Sequence, residues 1–175
     1  MQTIAQVALL LVVLSNFAVL GTSRLRTCIR SLAVQGVLLG LLPLALATQI
    51  TLHTGALAVG TVLVKAVVLP WFLAWAIREA SVRREVEPIV GFIASLLLGA
   101  LALALAFAIA DRLPLFEVRE PLLVPVALAT VVAGLIVITT RRKALTQVVG
   151  YLMLENGIYL FGLTQAESVP FLLEL

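Results

Sequence analysis

The chain has 175 residues, of which 62% are hydrophobic, 12% charged and 6% aromatic, and its mean hydropathy is +1.18. An average soluble domain is about 45–50% apolar and about 25% charged, so this sequence has too little polar surface for a soluble globule. The same composition excludes a disordered chain, a collagen, a nucleic-acid-binding module and a disulfide scaffold. The remaining class is all-α: a polytopic bundle of transmembrane helices in a single domain over residues 1–175.

Charge-poor stretches predict six spanning helices, since a bilayer core requires about 20 apolar residues per helix. Residues 31–64 carry no charge and are too long for one helix, and the polar cluster from Thr48 to Gly55 divides them. The first stretch has no basic residue before it, so it is interpreted as a retained helix rather than a signal peptide. Prolines suit the starts of the fourth and fifth helices, with Pro88 in the first turn of the fourth. The predicted helices lie near 4–22, 28–47, 56–77, 88–110, 121–140 and 144–163.

The distribution of basic residues predicts the orientation of the bundle. Nine of the twelve lie in three loops that fall on one side of a six-helix chain, two lie in other loops, and Lys65 lies inside a helix. Because Lys and Arg are in excess on cytoplasmic loops, these three loops are expected to face the cytoplasm across a bacterial or archaeal inner membrane. The nine are Arg24, Arg26, Arg30, Arg78, Arg83, Arg84, Arg141, Arg142 and Lys143, and the two are Arg112 and Arg119.

Two ionisable residues lie within predicted spans, Lys65 in the third helix and Glu155 in the sixth. A charge near the centre of a spanning helix costs about 2.5–3.5 kcal/mol on insertion scales, so such residues usually have a partner or a function. At 1.5 Å per residue, they lie at depths of about 13 and about 12 Å from the outer helix ends. We therefore expect them to pair directly or to share a hydrated path that handles protons. A static ion pair and a contact with another subunit are the alternatives.

Three polar side chains are candidates for the same proton path. Gln35 lies a turn inside the second helix, and Tyr151 and Tyr159 flank Glu155 at i−4 and i+4, where either hydroxyl could reach the carboxyl group. The alternatives are a helix–helix hydrogen bond for Gln35 and an interfacial position for Tyr159.

Two prolines are expected to interrupt the backbone hydrogen bonds of their helices. Pro70 cannot donate to the carbonyl of Ala66, which would free that oxygen one residue from Lys65. Pro43 acts in the same way in the second helix, and a simple packing kink is the alternative for both prolines. Interruptions of this kind within the membrane are tolerated where the freed backbone group lines a cavity or bonds to water.

The chain offers no set of residues for independent catalysis. Cys28 is the only cysteine and His53 the only histidine, and they lie in different parts of the sequence. A lone thiol without a base and a lone loop imidazole make neither a nucleophile pair nor a metal site. Any role in an enzyme is therefore expected to be that of a non-catalytic subunit.

Three of the predicted helices resemble one known family. RRKALTQVVGYLMLENGIYLFGL, residues 141–163, resembles the signature helix of hydrogenase-4 component E, where a basic turn leads to a GY-x-x-MEN-G pattern. VLVKAVVLPWFLAWAIREA, residues 62–80, is similar to that family's lysine helix, and SLAVQGVLL, residues 31–39, to its second helix with Gln35 in register. The family is related to the K-type subunit of respiratory complex I and the C-type subunit of cation/proton antiporters. The K-type glutamate falls at Leu152 here, so the acid stands three residues later, at Glu155.

The resemblance implies an integral membrane subunit of a group 4 hydrogenase-type complex, similar to formate hydrogenlyase. Such a subunit contributes to proton translocation and to assembly of the membrane arm, and the family has a seventh helix that these 175 residues do not include. No cofactor is expected in this chain; nickel–iron and iron–sulfur centres are expected in partner subunits. The implied partners are antiporter-like and complex-I-like membrane subunits, soluble hydrogenase-type subunits and membrane lipid, without nucleic acid. The alternatives are a subunit of a cation/proton antiporter or complex-I-like complex without a hydrogenase, and a free-standing small transporter.

Overall fold

The computed structural model describes residues 2–47, 52–79, 88–113 and 120–173, without the side chains of Gln2, His53 and residues 165–173. Within these ranges the chain forms six helical rods and no strand, which confirms the predicted all-α bundle. Three consecutive elements, from Leu52 to Glu79, make one rod that we call the interrupted span. The elements are α1 (Gln2–Leu20), α2 (Leu25–Leu46), α3 (Leu52–Val62), a π-helix (Leu63–Val68), α4 (Leu69–Glu79), α5 (Phe92–Ala110), α6 (Leu123–Thr140) and α7 (Ala144–Leu173).

Five of the rods are long and apolar enough to cross a membrane: α1, α2, the interrupted span, α5 and α6. The chain is thus a multi-pass membrane protein. The helix α7 is not among these five, and Gln147, Glu155 and Asn156 interrupt its hydrophobic sequence. It packs closely along α6.

The helix boundaries differ from the predicted ones at several ends. The second helix begins three residues early, at Leu25, and the interrupted span covers 52–79 rather than 56–77. The last helix continues to Leu173 instead of ending at 163. Pro125 lies near the start of α6, which begins at Leu123. Parts of the predictions fall outside the described residues: Thr48, Gln49, Thr51, Arg83, Arg84, Arg119 and the side chain of His53.

The predicted start of the fourth helix at Pro88 is wrong. The helix α5 begins at Phe92, after Gly91, whose ψ of 156° is not helical. The residues before it are held by the end of α6, because the backbone N–H of Ile89 donates to the carbonyl of Thr140 at 2.8 Å. A contact distant in sequence therefore replaces the first helical turn that the proline suggested.

The bundle core has a polar layer between two apolar clusters. One cluster gathers the C-terminal part of α1 with the N-terminal part of α2, and the other gathers the opposite ends of the same helices. Between them lie five buried polar residues on α1, α2, α6 and α7: Ser15, Asn16, Gln35, Thr130 and Asn156. Above and below this layer the packing is made by residues such as Leu9, Leu39 and Leu160 on one side and Leu25, Leu32 and Met153 on the other.

One end of the bundle is closed by Arg141, the first residue after α6. Its side chain is 1% exposed. One guanidinium nitrogen donates to the carbonyl of Leu20 at 2.8 Å and the other to that of Val90 at 3.2 Å. The guanidinium also lies over the ring of Phe92, 4.5 Å from its centroid. Arg141 is one of the nine basic residues that predict the orientation of the bundle, and its side chain in addition ties the ends of α1, α5 and α6 together.

Candidate functional site

The two intramembrane ionisable residues form an ion pair. The Nζ of Lys65 lies 2.7 Å from the Oε1 of Glu155 and donates a hydrogen bond to it. Lys65 is 13 residues from the start of the interrupted span at Leu52 and 14 from its end at Glu79, so the pair lies at mid-span. The side chain of Lys65 is 11% exposed, whereas that of Glu155 is 45% exposed. Counting residues predicts that Lys65 and Glu155 lie at similar depths, and in the structure the two side chains are in direct contact.

The Lys65 ammonium has three neighbouring groups. Besides Glu155, the Nζ donates to the Oδ1 of Asn156 at 3.0 Å. It also lies 5.7 Å from the centroid of the Tyr159 ring, within the range of a cation–π contact. A carboxylate, an amide oxygen and an aromatic face thus surround the ammonium.

A chain of amide groups continues from Lys65 across the bundle. The Nδ2 of Asn156 donates to the Oε1 of Gln35 at 3.0 Å. The Nε2 of Gln35 in turn donates to the Oγ of Ser15 at 2.6 Å and the Oδ1 of Asn16 at 2.8 Å. The Nδ2 of Asn16 donates to the Oγ1 of Thr130 at 2.8 Å, and that hydroxyl donates to a backbone carbonyl within α6.

The donors in this chain all point away from Lys65, so each amide oxygen faces back toward the ammonium. Oriented carbonyl dipoles of this kind stabilise a positive charge in a low-dielectric interior. Gln35 thus belongs to the site as predicted, but it reaches Lys65 through Asn156. Asn16, Thr130 and Asn156 were not predicted, although each interrupts an apolar run of the sequence.

The backbone at Lys65 is irregular because the π-helix occupies Leu63–Val68. In this segment the N–H of Leu69 donates to the carbonyl of Val64, five residues earlier. Single π-turns inside α-helices occur frequently at functional sites. Pro70 follows this bonded pair directly, and the carbonyl five residues before it is that of Lys65, so a π-type bond from position 70 to Lys65 cannot form.

Gly36 allows α2 to lie directly against this irregular segment. A Cβ at Gly36 would lie 2.6 Å from the carbonyl carbon of Lys65 and 2.7 Å from its carbonyl oxygen. Only glycine leaves room for two backbones at that separation. The residue next to Gln35 thus sets how closely the lysine segment packs on the amide chain.

A small cavity adjoins the ion pair on the α4 side. Its volume is about 10 Å³, enough for about one water molecule. Both Glu155 and Leu152, three residues earlier on the same helix, line it. The other lining residues are Leu32, Lys65, Leu69, Pro70, Leu73 and Asn156.

The two tyrosines differ in their relation to the pair. Tyr159 contacts Lys65 through its ring, whereas Tyr151 is 60% exposed. Neither hydroxyl donates to Glu155 in the part of the chain that the structure describes, so the expected tyrosine–carboxyl bond is not seen.

Comparison with known proteins finds one informative relative. The chain is 36% identical over 167 residues to the Uncharacterized protein Rv0085 of Mycobacterium tuberculosis (strain ATCC 25618 / H37Rv). The match covers 93% of this chain and 76% of the relative. No model of a known protein family matches the chain, and no solved structure matches it.

Proposed function

This chain belongs to the same family as the mycobacterial protein Rv0085, and we propose that it is a proton-path subunit in the membrane arm of a group 4 hydrogenase-type complex. The ion pair of Lys65 and Glu155 at mid-span carries the proposal. The resemblance of residues 141–163 and 62–80 to hydrogenase-4 component E gives the kind of complex. The same residues suit an antiporter or a complex-I-like assembly without a hydrogenase, which is the second candidate.

The paired groups have the chemistry that a proton relay requires. An ammonium next to a carboxylate can pass one proton to it, which turns a charged pair into a neutral pair without changing the net charge in the membrane. The bilayer therefore imposes little electrostatic penalty on either state, whereas a single unpaired charge there is expensive. The cavity beside the pair has room for the water molecule through which a proton could enter or leave.

The amide chain has a different role in this proposal. Carboxamides do not ionise at physiological pH, so Asn156, Gln35 and Asn16 hold Lys65 in place rather than carry the proton. Proton movement is assigned to Lys65, Glu155 and the adjoining cavity. The electron-transfer chemistry belongs to metal-bearing partner subunits.

The test replaces Glu155 with glutamine, which retains size and hydrogen bonding but cannot release a proton. We expect Glu155→Gln to leave the complex assembled and active with a soluble electron donor, and to reduce proton translocation into inverted membrane vesicles at least tenfold. Lys65→Met should have the same effect, and the double variant should be little worse than either single variant, because the two groups act as a unit. Glu79→Gln makes the same chemical change at an exposed helix end and should translocate normally. Normal translocation by Glu155→Gln would contradict the proposal.

A further inference from the structure

Five exposed residues form a single stripe along the outer face of α2. They stand three or four positions apart, which places them on one side of the helix. The stripe begins with two arginines and continues with aliphatic side chains that are 40–50% exposed: Arg26, Arg30, Val34, Val37 and Leu41. Charged residues of a spanning helix usually face the interior of the bundle, so two guanidinium groups on the outer face of α2 are unusual.

Arg30 lies deeper in the membrane than a loop residue. Gly36 of the same helix packs against the backbone of Lys65 at mid-span, so it marks the middle of the membrane on α2. At 1.5 Å per residue, Arg26 lies about 15 Å from that level and Arg30 about 9 Å. The hydrocarbon core is about 30 Å thick, so the backbone of Arg26 lies at its edge and that of Arg30 about 6 Å inside. The excess of basic residues in cytoplasmic loops does not call for an arginine at this depth.

Helix geometry directs the two guanidinium groups toward each other. The Cα–Cβ bonds of a helix point toward its N-terminus, and α2 begins at the end of the bundle that Arg141 closes. The side chain of Arg30 is therefore expected to extend toward the membrane surface, over the turn that carries Arg26. Like charges at i and i+4 repel each other, and neither arginine bonds to any described residue. An anion held between them would remove this repulsion.

We propose that Arg26 and Arg30 bind the phosphate group of an anionic phospholipid, whose acyl chain lies along the aliphatic part of the stripe. Guanidinium groups present paired donors that match phosphate oxygens, and such charge-assisted bonds are strong. The aliphatic residues favour a lipid over a free phosphate, because they offer contact area to a hydrocarbon chain and no polar group to a soluble anion. The inference requires only that the chain spans a membrane, so it is independent of the proposed function.

The test measures lipid binding to the full chain, purified in detergent micelles that contain equal amounts of phosphatidylglycerol and phosphatidylcholine. Native mass spectrometry should show retained phosphatidylglycerol in at least fivefold excess over phosphatidylcholine. Either Arg26→Gln or Arg30→Gln should reduce this excess to less than twofold. Arg78→Gln is the matched control, because Arg78 is an exposed arginine near the end of α4 with no second cation one turn earlier. Its excess should stay within twofold of the wild-type value.

Thermal unfolding gives an independent measure of the same site. A ligand that binds only the folded chain raises its unfolding temperature, so phosphatidylglycerol should stabilise the wild type and Arg78→Gln but not Arg30→Gln. In phosphatidylcholine alone all three should unfold at the same temperature, and Arg26→Gln decides the question if Arg30→Gln misfolds. Displacement of the lipid by millimolar glycerol phosphate would identify a free anion as the ligand and would overturn the inference. An undiminished excess in the folded glutamine variants, or an equal loss in Arg78→Gln, would also overturn it.

Discussion

At one end of the bundle, Arg141 is 1% exposed and donates to carbonyls at two other helix ends. At mid-span, the side chain of Glu155 is 45% exposed, and one of its carboxylate oxygens has no partner among the described residues. Both groups are charged, and both lie at a contact between helices. The guanidinium is enclosed by groups of its own chain. The carboxylate is bonded on one side only and faces the surroundings of the bundle on the other.

This difference contrasts a side chain enclosed by its own chain with one that is open to its surroundings. A buried guanidinium that bonds backbone carbonyls fixes the geometry of the helix ends and has no reason to change its protonation state. A carboxylate with a free oxygen next to a water-sized cavity can accept a proton or a donor from outside. Removing Arg141 should therefore affect stability, whereas altering Glu155 conservatively should affect function.

The largest stability change is predicted for Arg141→Met. The substitution keeps apolar bulk but leaves the carbonyls of Leu20 and Val90 without their donor, at about 1–3 kcal/mol each. We expect the free energy of unfolding to fall by about 3–5 kcal/mol and the thermal unfolding temperature of the detergent-purified chain to drop accordingly. Arg142→Met, at the exposed neighbouring position, should change stability by less than about 0.5 kcal/mol. Equal effects of the two substitutions would show that burial of Arg141 does not stabilise the bundle.

A smaller loss of stability is predicted for Gly36→Ala. The added methyl group would lie 2.6 Å from the Lys65 backbone, so α2 must move away from the π-helix at a cost of about 1–3 kcal/mol. Gly55→Ala introduces the same group where nothing lies within 4 Å, and it should be neutral or stabilising by up to about 1 kcal/mol. Thermal unfolding of both variants checks the pair. If Gly36→Ala proves as stable as Gly55→Ala, the close approach of α2 to the lysine segment does not exist.

The sequence predicts those parts of this architecture that depend on local composition. Apolar run lengths give the number of helices, and counting residues from the helix ends brings Lys65 and Glu155 to one level. The π-helix, in contrast, lies where α2 packs against the lysine segment at Gly36. The start of α5 depends on the hydrogen bond from Ile89 to the carbonyl of Thr140. Both are contacts between residues far apart in the sequence, and no local pattern encodes them.

The polar layer illustrates an intermediate case. Asn16, Gln35, Thr130 and Asn156 each stand between two apolar runs, so their positions as polar interruptions of the helices are readable from the sequence. The sequence does not show which of these side chains face one another, because that depends on how α1, α2, α6 and α7 are arranged around the axis of the bundle. The burial of Arg141 has the same cause, since its acceptors belong to helix ends 51 and 121 residues away.

The last prediction concerns the side of the membrane that each end of the bundle faces. The substitutions that test it should leave the stability of the bundle unchanged. The structure places Leu20, Val90 and Arg141 together at one end, and the basic residues predict that this end is cytoplasmic. Arg141 itself is too buried for labelling, so Arg142→Cys and Arg112→Cys, both at exposed positions, are the suitable probes. The buried Cys28 serves as an internal control for background labelling. A membrane-impermeant maleimide should react with Arg142→Cys only in inverted vesicles and with Arg112→Cys only in intact cells. The reverse pattern would show that the end of the bundle with Arg141 faces outward.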